Sequence, residues 1–416
     1  MLRVTLRALR HRNFQLFFGG QLISLVGTWM QSVAQSWLVY RLTGSSLLLG
    51  SVGFASQVPV FIAAPFGGMI ADRHNRRYVV IATQTASMLL AGILAALTLT
   101  GTVRVPHIFA LAALLGVVNS FDIPARQAFL VDMVGKEDMM NAIALNSSMF
   151  NGARIVGPAV AGILVASIGE GWCFFGNAVS YLAVIAGLLI MKVRAPRRVV
   201  SGPPFAHIVE GFRFAQSTGP IRSLLLLLGL LSFVAMPHTV LMPVFADRIL
   251  HHGAWGLGFL MGATGVGALL GALTLASRSG VSGLGRWIAI SCGGFGFFLL
   301  LFAFSRYFWL STTLLIPVGF CMMLEMSSSN TLIQAMVPDE LRGRVMSLYS
   351  MMFMGMAPIG ALAGGALASR IGAPITLAVG GIACIGGAIL FGMRLPNLRV
   401  EARQLILAAA EQDRGD

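Results

Sequence analysis

Between Arg12 and Arg41 this chain carries no Asp, Glu, Lys or Arg. The same holds for Arg41 to Asp72, Arg77 to Arg104, Glu170 to Lys192, Arg222 to Asp247, Arg248 to Arg278, Arg344 to Arg370 and Arg370 to Arg394. Each window is long enough to cross a hydrocarbon layer of ~30 Å, which takes about 20 apolar residues in a helix. A soluble core can bury one such helix, but it has no room for eight. Four further runs with few interior charges, 105–133, 138–169, 287–305 and 307–333, bring the expected spans to twelve. Their limits are 14–40, 47–71, 78–100, 105–133, 138–167, 171–192, 222–246, 255–277, 285–305, 307–333, 343–369 and 372–394. The expected fold class is therefore an all-α polytopic membrane protein.

Composition agrees with this reading. Charged residues are 11% of the chain, against about 25% in soluble proteins. The 49 glycines suit helices that approach closely inside a bilayer. The first span is too long for a signal-peptide core and lacks a convincing cleavage site, so it is expected to be retained.

A net charge of +14 would suit nucleic-acid binding only if it were gathered on one surface. With both termini placed in the cytoplasm, 23 of the 29 Lys and Arg fall on cytoplasmic segments. Five (Arg41, Arg104, Arg248, Arg306 and Arg370) fall on the other side, and Arg154 lies within a span. This is the positive-inside asymmetry. It fixes the orientation, with both ends cytoplasmic and the lipid bilayer, not nucleic acid, as the macroscopic partner. A multi-pass monomer of the bacterial inner membrane is a separate expectation, not read from charge.

Intrinsic enzymatic chemistry is not expected. Lys136 and Lys192 are the only lysines, so no GxxxxGK[ST] phosphate loop exists, and the seven His show no HExxH spacing. Cys173, Cys292, Cys321 and Cys384 sit in apolar spans without a CxxC pair, as small buried hydrophobes do. No cofactor or metal is called for.

The chain repeats itself. Shifted by 203 residues without a gap, 133–169 matches 336–372 at Met133/Met336, Glu137/Glu340, Gly157/Gly360, Gly162/Gly365 and Gly169/Gly372, among other positions. Six spans followed by six in parallel repeat is the implied architecture. The expected parts are an N-terminal bundle at 1–192, a linker at 193–221, a C-terminal bundle at 222–395 and a cytoplasmic tail at 396–416. In the linker Phe205, Ile208 and Phe212 have helical spacing, which fits a short helix on the membrane face or an ordinary solvated connection.

Against this background the stretch GGMIADRHNRR, residues 67–77, resembles the major facilitator superfamily signature between spans two and three. Gly68, Asp72, Arg73 and Arg77 are on the pattern, and His74 and Asn75 depart at loose positions. The corresponding second-half segment, GALLGALTLASRSG, has no Asp. RNFQLFFGGQLISLVGTWMQ, SFDIPARQAF and NGARIVGPAVAG are similar to the enterobactin-exporter and macrolide-efflux branch. The last overlaps the exporters' fifth-span Gly-Pro motif: Gly157, Pro158 and Gly162 match, and Ala161 departs. The resemblance implies the major facilitator fold and secondary transport; it does not carry over a substrate.

Candidate site residues follow. GGMIADRHNRR reads either as topology control by arginine or as an ionic latch of Asp72 and Arg73, with Asp132 a candidate partner for Arg73. In relatives this loop helps hold the outward-facing state, and the resemblance implies the same here. Gln21, Ser24, Thr28, Gln31 and Gln35 recur at helical steps along one stripe of the first span. Helix–helix hydrogen bonding accounts for the stripe, as does the wall of a cavity, since relatives place spans one, four, seven and ten around one; Asn119 of the fourth span belongs to the same candidate lining.

Asp122 and Glu325 are the two carboxylates well inside the spans, and they are equivalent at the 203-residue offset. A centred charge costs about 3 kcal/mol on insertion scales, which makes each a functional candidate. Asp122 has a candidate cation in Arg154 on the adjacent span, whereas the equivalent of Arg154 is Ala357. Glu325 is therefore favoured over Asp122 for proton coupling. The expected function is proton-coupled export of an amphiphilic small molecule, siderophore or drug-like. The alternatives are a nutrient importer on the same fold and a non-transporting membrane receptor or assembly factor.

Overall fold

The computed structural model describes residues 7–135, 137–191, 206–278 and 280–415, and no strand occurs among them. That follows from the solvent: hydrocarbon offers no hydrogen bonds, so each backbone N–H and C=O must be satisfied within its own helix. The long helices are α1 (Arg12–Thr43), α2 (Ser46–Arg73), α3 (Arg76–Leu99), α4 (Val105–Val134), α5 (Met139–Ile168) and α6 (Glu170–Ile190). A short α7 (Ala206–Ser217) precedes α8 (Gly219–Val240), α9 (Gly253–Ala276), α10 (Leu284–Phe304), α11 (Phe308–Met336), α12 (Asp339–Ile371) and α13 (Ala373–Gly415).

Eleven of these helices are by themselves long and apolar enough to cross a membrane. The remaining long helix, α1, has 32 residues, so length is not what sets it apart. Its polar stripe, Gln21, Ser24, Thr28, Gln31 and Gln35, dilutes its apolar character. Helix ends obey local chemistry. Gly44 closes α1 at φ 60, its N–H bonding the Tyr40 carbonyl at 2.7 Å, a left-handed turn that costs a glycine little. The Ser45 hydroxyl accepts from the Leu48 N–H to cap α2, and the Asn75 side chain accepts from the Arg77 N–H to cap α3.

The helix of the last span continues through Pro396 to Gly415, so the tail beyond 395 is helical. Glu401 in that extension accepts the Gly219 N–H at 3.2 Å, where the amino-terminal end of α8 favours a negative charge. Arg126, expected among the cytoplasmic segments, lies inside α4. The linker does contain a short helix, α7, on which Phe212 is exposed. Phe205 and the rest of 192–205 lie outside the described residues.

Contacts divide the chain into two units, Met1–Ser201 with Pro243–Gly262, and Gly202–Met242 with Ala263–Asp416. In the first unit, α2 and α4 touch backbone to backbone: a Cβ on Gly67 would run into the Ser120 carbonyl, and one on Gly116 into the Ser56 carbonyl. In the second, Gly319 of α11 stands in the same way against the Thr264 carbonyl of α9. The repeat is visible inside the units as well. Gly157 of α5 packs on Val26, Trp29 and Met30 of α1, while Gly360 of α12 packs on Phe233 of α8. Both pairs, Gly157/Gly360 and Met30/Phe233, keep the offset of 203.

The signature glycine is thus not the one packing requires. A Cβ on Gly68 would meet nothing within 4 Å, whereas one on Gly67 would displace backbone. Gly67→Ala should destabilise the purified protein by about 1–3 kcal/mol, the usual cost of overpacking, and Gly68→Ala should leave it unchanged. Thermal unfolding in detergent measures both; equal melting temperatures for the two variants would refute the assignment.

Candidate functional site

The charged elbow between α2 and α3 is organised by a residue that the signature does not mark. Arg76, 8% exposed, donates through Nη1 to both Asp132 carboxylate oxygens at 3.2 Å and to the Ala128 carbonyl at 3.1 Å. Its Nη2 reaches Asp72 Oδ1 at 3.3 Å, and its Nε reaches the Ala71 carbonyl at 3.3 Å. One guanidinium therefore ties the end of α2, the start of α3 and the last turns of α4. A cation in the first turn of a helix is opposed by the helix dipole; two carboxylates and two carbonyls offset that here.

The expected pairing of Arg73 with Asp132 is not what the fold makes. Arg73 is exposed at the end of α2 and forms no ion pair among the described residues. Arg76 begins the next helix and faces inward, so it reaches Asp132 first. Arg77 has a different task. Its Nε and Nη2 donate to the Leu188 and Leu189 carbonyls at 2.7 and 2.8 Å, near the end of α6, where helix carbonyls lack intrahelical donors.

Asp122 is buried and well partnered. Its Oδ1 accepts from Thr83 Oγ1 at 2.7 Å and Gln84 Nε2 at 2.9 Å, both on α3. Arg126 Nε stands 3.4 Å from its Oδ2. Arg126 therefore supplies the cation that was expected from Arg154. The reason is register: residues four apart share a helix face, so Arg126 meets Asp122 without bridging two helices. Arg154 lies instead over the Trp29 ring, its Cζ 5.8 Å from the centroid, and makes no ion pair among the described residues.

Glu325 has the opposite setting. It is 0% exposed, its Oε1 accepts from Ser329 Oγ at 3.0 Å, and its Oε2 has no hydrogen-bond partner. No cation lies within ion-pair distance of it among the described residues. Ser329 is the equivalent of Arg126 at the offset of 203. The two halves thus carry a carboxylate at equivalent positions of the repeat, one with a cation at i+4 and one with a hydroxyl there. The Ser328 hydroxyl beside it is also buried and unpartnered, and Tyr349 of α12 donates to the Met326 carbonyl at 2.9 Å.

The α1 stripe separates into two kinds of residue. Gln31 is buried and accepts from Asn177 Nδ2 of α6 at 2.7 Å, which is helix–helix bonding. Gln21 and Ser24 are buried too, Gln21 Oε1 without a hydrogen-bond partner. Thr28 is exposed, and Gln35 and Asn119 are part-buried. In the Gly-Pro motif, Gly157 fits against α1 as described, and Gly162 fits against Gly258, where a Cβ on the latter would lie 2.8 Å from Gly162 Cα.

Sequence reading missed two further ion-pair sites. Arg41 at the end of α1 holds buried Glu170 at the start of α6 through Nε at 2.7 Å and Nη2 at 3.2 Å. Asp138 is gripped by Arg7 Nε and His11 Nε2, each at 2.8 Å. Both join helix ends far apart in sequence, and no spacing rule points to such pairs.

The family model of transmembrane secretion effectors, within the major facilitator superfamily, matches residues 4–412. The chain belongs to that family. Secretion effectors of this kind are transporters rather than enzymes, and the chain is a multi-pass membrane transporter of small molecules. It is 26% identical to the staphyloferrin A transporter of Staphylococcus aureus over 391 residues, 92% of this chain and 97% of that one. It is also 26% identical to the enterobactin exporter EntS of Shigella boydii over 408 residues, 95% and 93% of the two chains. The multidrug efflux pump Tap of Mycolicibacterium fortuitum is 28% identical over 357 residues, 83% and 87%. Among solved structures, a POT family transporter in complex with 5-aminolevulinic acid aligns over 93% of this chain and 96% of its own, with a TM-score of 0.76 and 10% identity. At that identity the likeness shows the fold alone.

Proposed function

We propose that this transporter couples proton movement to export of an amphiphilic small molecule across a bacterial inner membrane, as a monomer with both ends cytoplasmic and 1–192 and 222–395 as its working halves. The observation that carries the coupling is Glu325: enclosed, without a cation, and with one carboxylate oxygen unpartnered. Such a group can take up and release a proton as access alternates, because no fixed positive charge pins its ionised form. Asp122, held by Arg126, Thr83 and Gln84, serves as a structural counterpart. The elbow network of Asp72, Arg76 and Asp132 acts as the latch, in which the Asp72–Arg76 pair, with the Asp72 side chain 47% exposed, is the one weak enough at a hydrated end to break in each cycle. Export rather than import is favoured by the Gly157–Pro158–Gly162 motif and by the exporters among the relatives.

Everted membrane vesicles from a strain lacking its own exporters provide the test. With the lumen acidified, we expect accumulation of at least one compound from a panel of catecholate and carboxylate siderophores and macrolides, and its loss when nigericin collapses the pH gradient. Accumulation only in right-side-out vesicles would establish import. Accumulation in everted vesicles that nigericin does not touch would exclude proton coupling.

A further inference from the structure

We infer that Arg154, with Trp29 and Phe150 beside it, recognises an anionic group, a carboxylate or similar oxyanion, on the transported amphiphile. This rests on the transport reading above and narrows its substrate class.

Arg154 is fifteen residues from the start of α5 and fourteen from its end, about 22 Å and 21 Å along the axis at 1.5 Å per residue. The hydrocarbon layer extends only about 15 Å either side of its centre, and an arginine side chain anchored near mid-helix is too short to reach headgroups. A cation held there costs about 3 kcal/mol or more unless something neutralises it. No protein group does so among the described residues. Asp122, the acid that could have served, is taken by Arg126.

Nor does the fold itself call for a cation. At the equivalent place in the second half, α12 carries Ala357, which is buried. The cation is an addition to one half, and its unmet charge calls for a partner from outside the chain.

The surroundings specify the rest. The guanidinium lies over the Trp29 ring at 5.8 Å, and Trp29 meets Phe150 edge to face at 5.6 Å between centroids. Phe150 is 43% exposed. The ring contact occupies the guanidinium face, and its N–H donors make no hydrogen bond among the described residues. A planar fork with free donors matches a carboxylate in bidentate geometry, while the two rings offer contact to an apolar or aromatic body. One ligand satisfies both features: an organic acid with an apolar body.

Binding of 1-pyrenebutyrate and of its trimethylammonium counterpart to the full-length protein in phosphatidylcholine nanodiscs, read by tryptophan-to-pyrene energy transfer, tests the inference. Wild type should bind the anion about tenfold more tightly than the cation, the effect of one charge-assisted contact. Arg154→Gln should remove that preference while melting no lower than wild type, since it deletes an uncompensated charge. Arg154→Lys should keep most of the preference.

Equal affinities in the wild type, an unchanged preference in Arg154→Gln, or a preference lost as fully in Arg154→Lys would overturn the assignment. So would a preference that vanishes when phosphatidylglycerol replaces part of the lipid, because the anion would then be a headgroup. Binding is read without a gradient, so this inference can fail while driven flux in vesicles stands, and the reverse.

Discussion

Replacing Glu325 by Gln should abolish proton-driven accumulation, reducing it at least tenfold to the level of vesicles without the protein, while substrate exchange at zero gradient persists. Coupling requires a group whose charge differs between access states. The amide would keep the size and hydrogen-bonding capacity of the carboxyl but could not ionise. The Ser329 contact at 3.0 Å can be kept by the amide oxygen, so expression and melting temperature should stay near wild type. Asp122→Asn should behave differently. It leaves Arg126, 20% exposed at its side chain, without its carboxylate, so stability and flux should fall together. The scheme is lost if Glu325→Gln still accumulates substrate against a gradient at the wild-type rate.

The second large effect is expected at Arg76. Removing it leaves Asp132, whose side chain is 8% exposed, as a buried carboxylate without a cation, and frees Asp72 and two backbone carbonyls. Losing one partner of such a pair costs about 3–5 kcal/mol, so Arg76→Gln should be recovered at low yield with a clearly lowered melting temperature. Arg73→Gln, which breaks no ion pair, should match wild type. Asp72→Asn should lie between them, since Arg76 keeps Asp132, Ala128 and Ala71, and it should impair transport more than insertion. Melting curves of the three variants decide the ranking, and a transport assay follows those that fold. If Arg73→Gln were the most damaging of the three, the latch would belong to the signature arginine after all.

The fold and the identities of the candidate acids were legible without a structure because the bilayer reduces the possibilities. Charge-free windows of sufficient length have one outcome in hydrocarbon, so the helices were readable from spacing of charge alone. Asp122, Glu325 and Arg154 stood out because charges inside spans are rare and costly. The offset of 203 residues held beyond the segment that revealed it, through Met30 and Phe233 at the Gly157 and Gly360 crossings.

What only the tertiary structure decided is who touches whom. Successive helix residues point about 100° apart, so Arg73 and Arg76, or Gly67 and Gly68, are near neighbours in sequence with unrelated surroundings. Arg76 meets Asp132 and Gly67 meets the Ser120 carbonyl, while Arg73 and Gly68 of the signature face solvent or open space. The same rotation gives Asp122 to Arg126 and leaves Arg154 over Trp29. Apolar length determines that a helix forms and crosses the membrane; the rotation of that helix about its axis is set by packing against its neighbours, and a single chain's sequence does not spell that angle out.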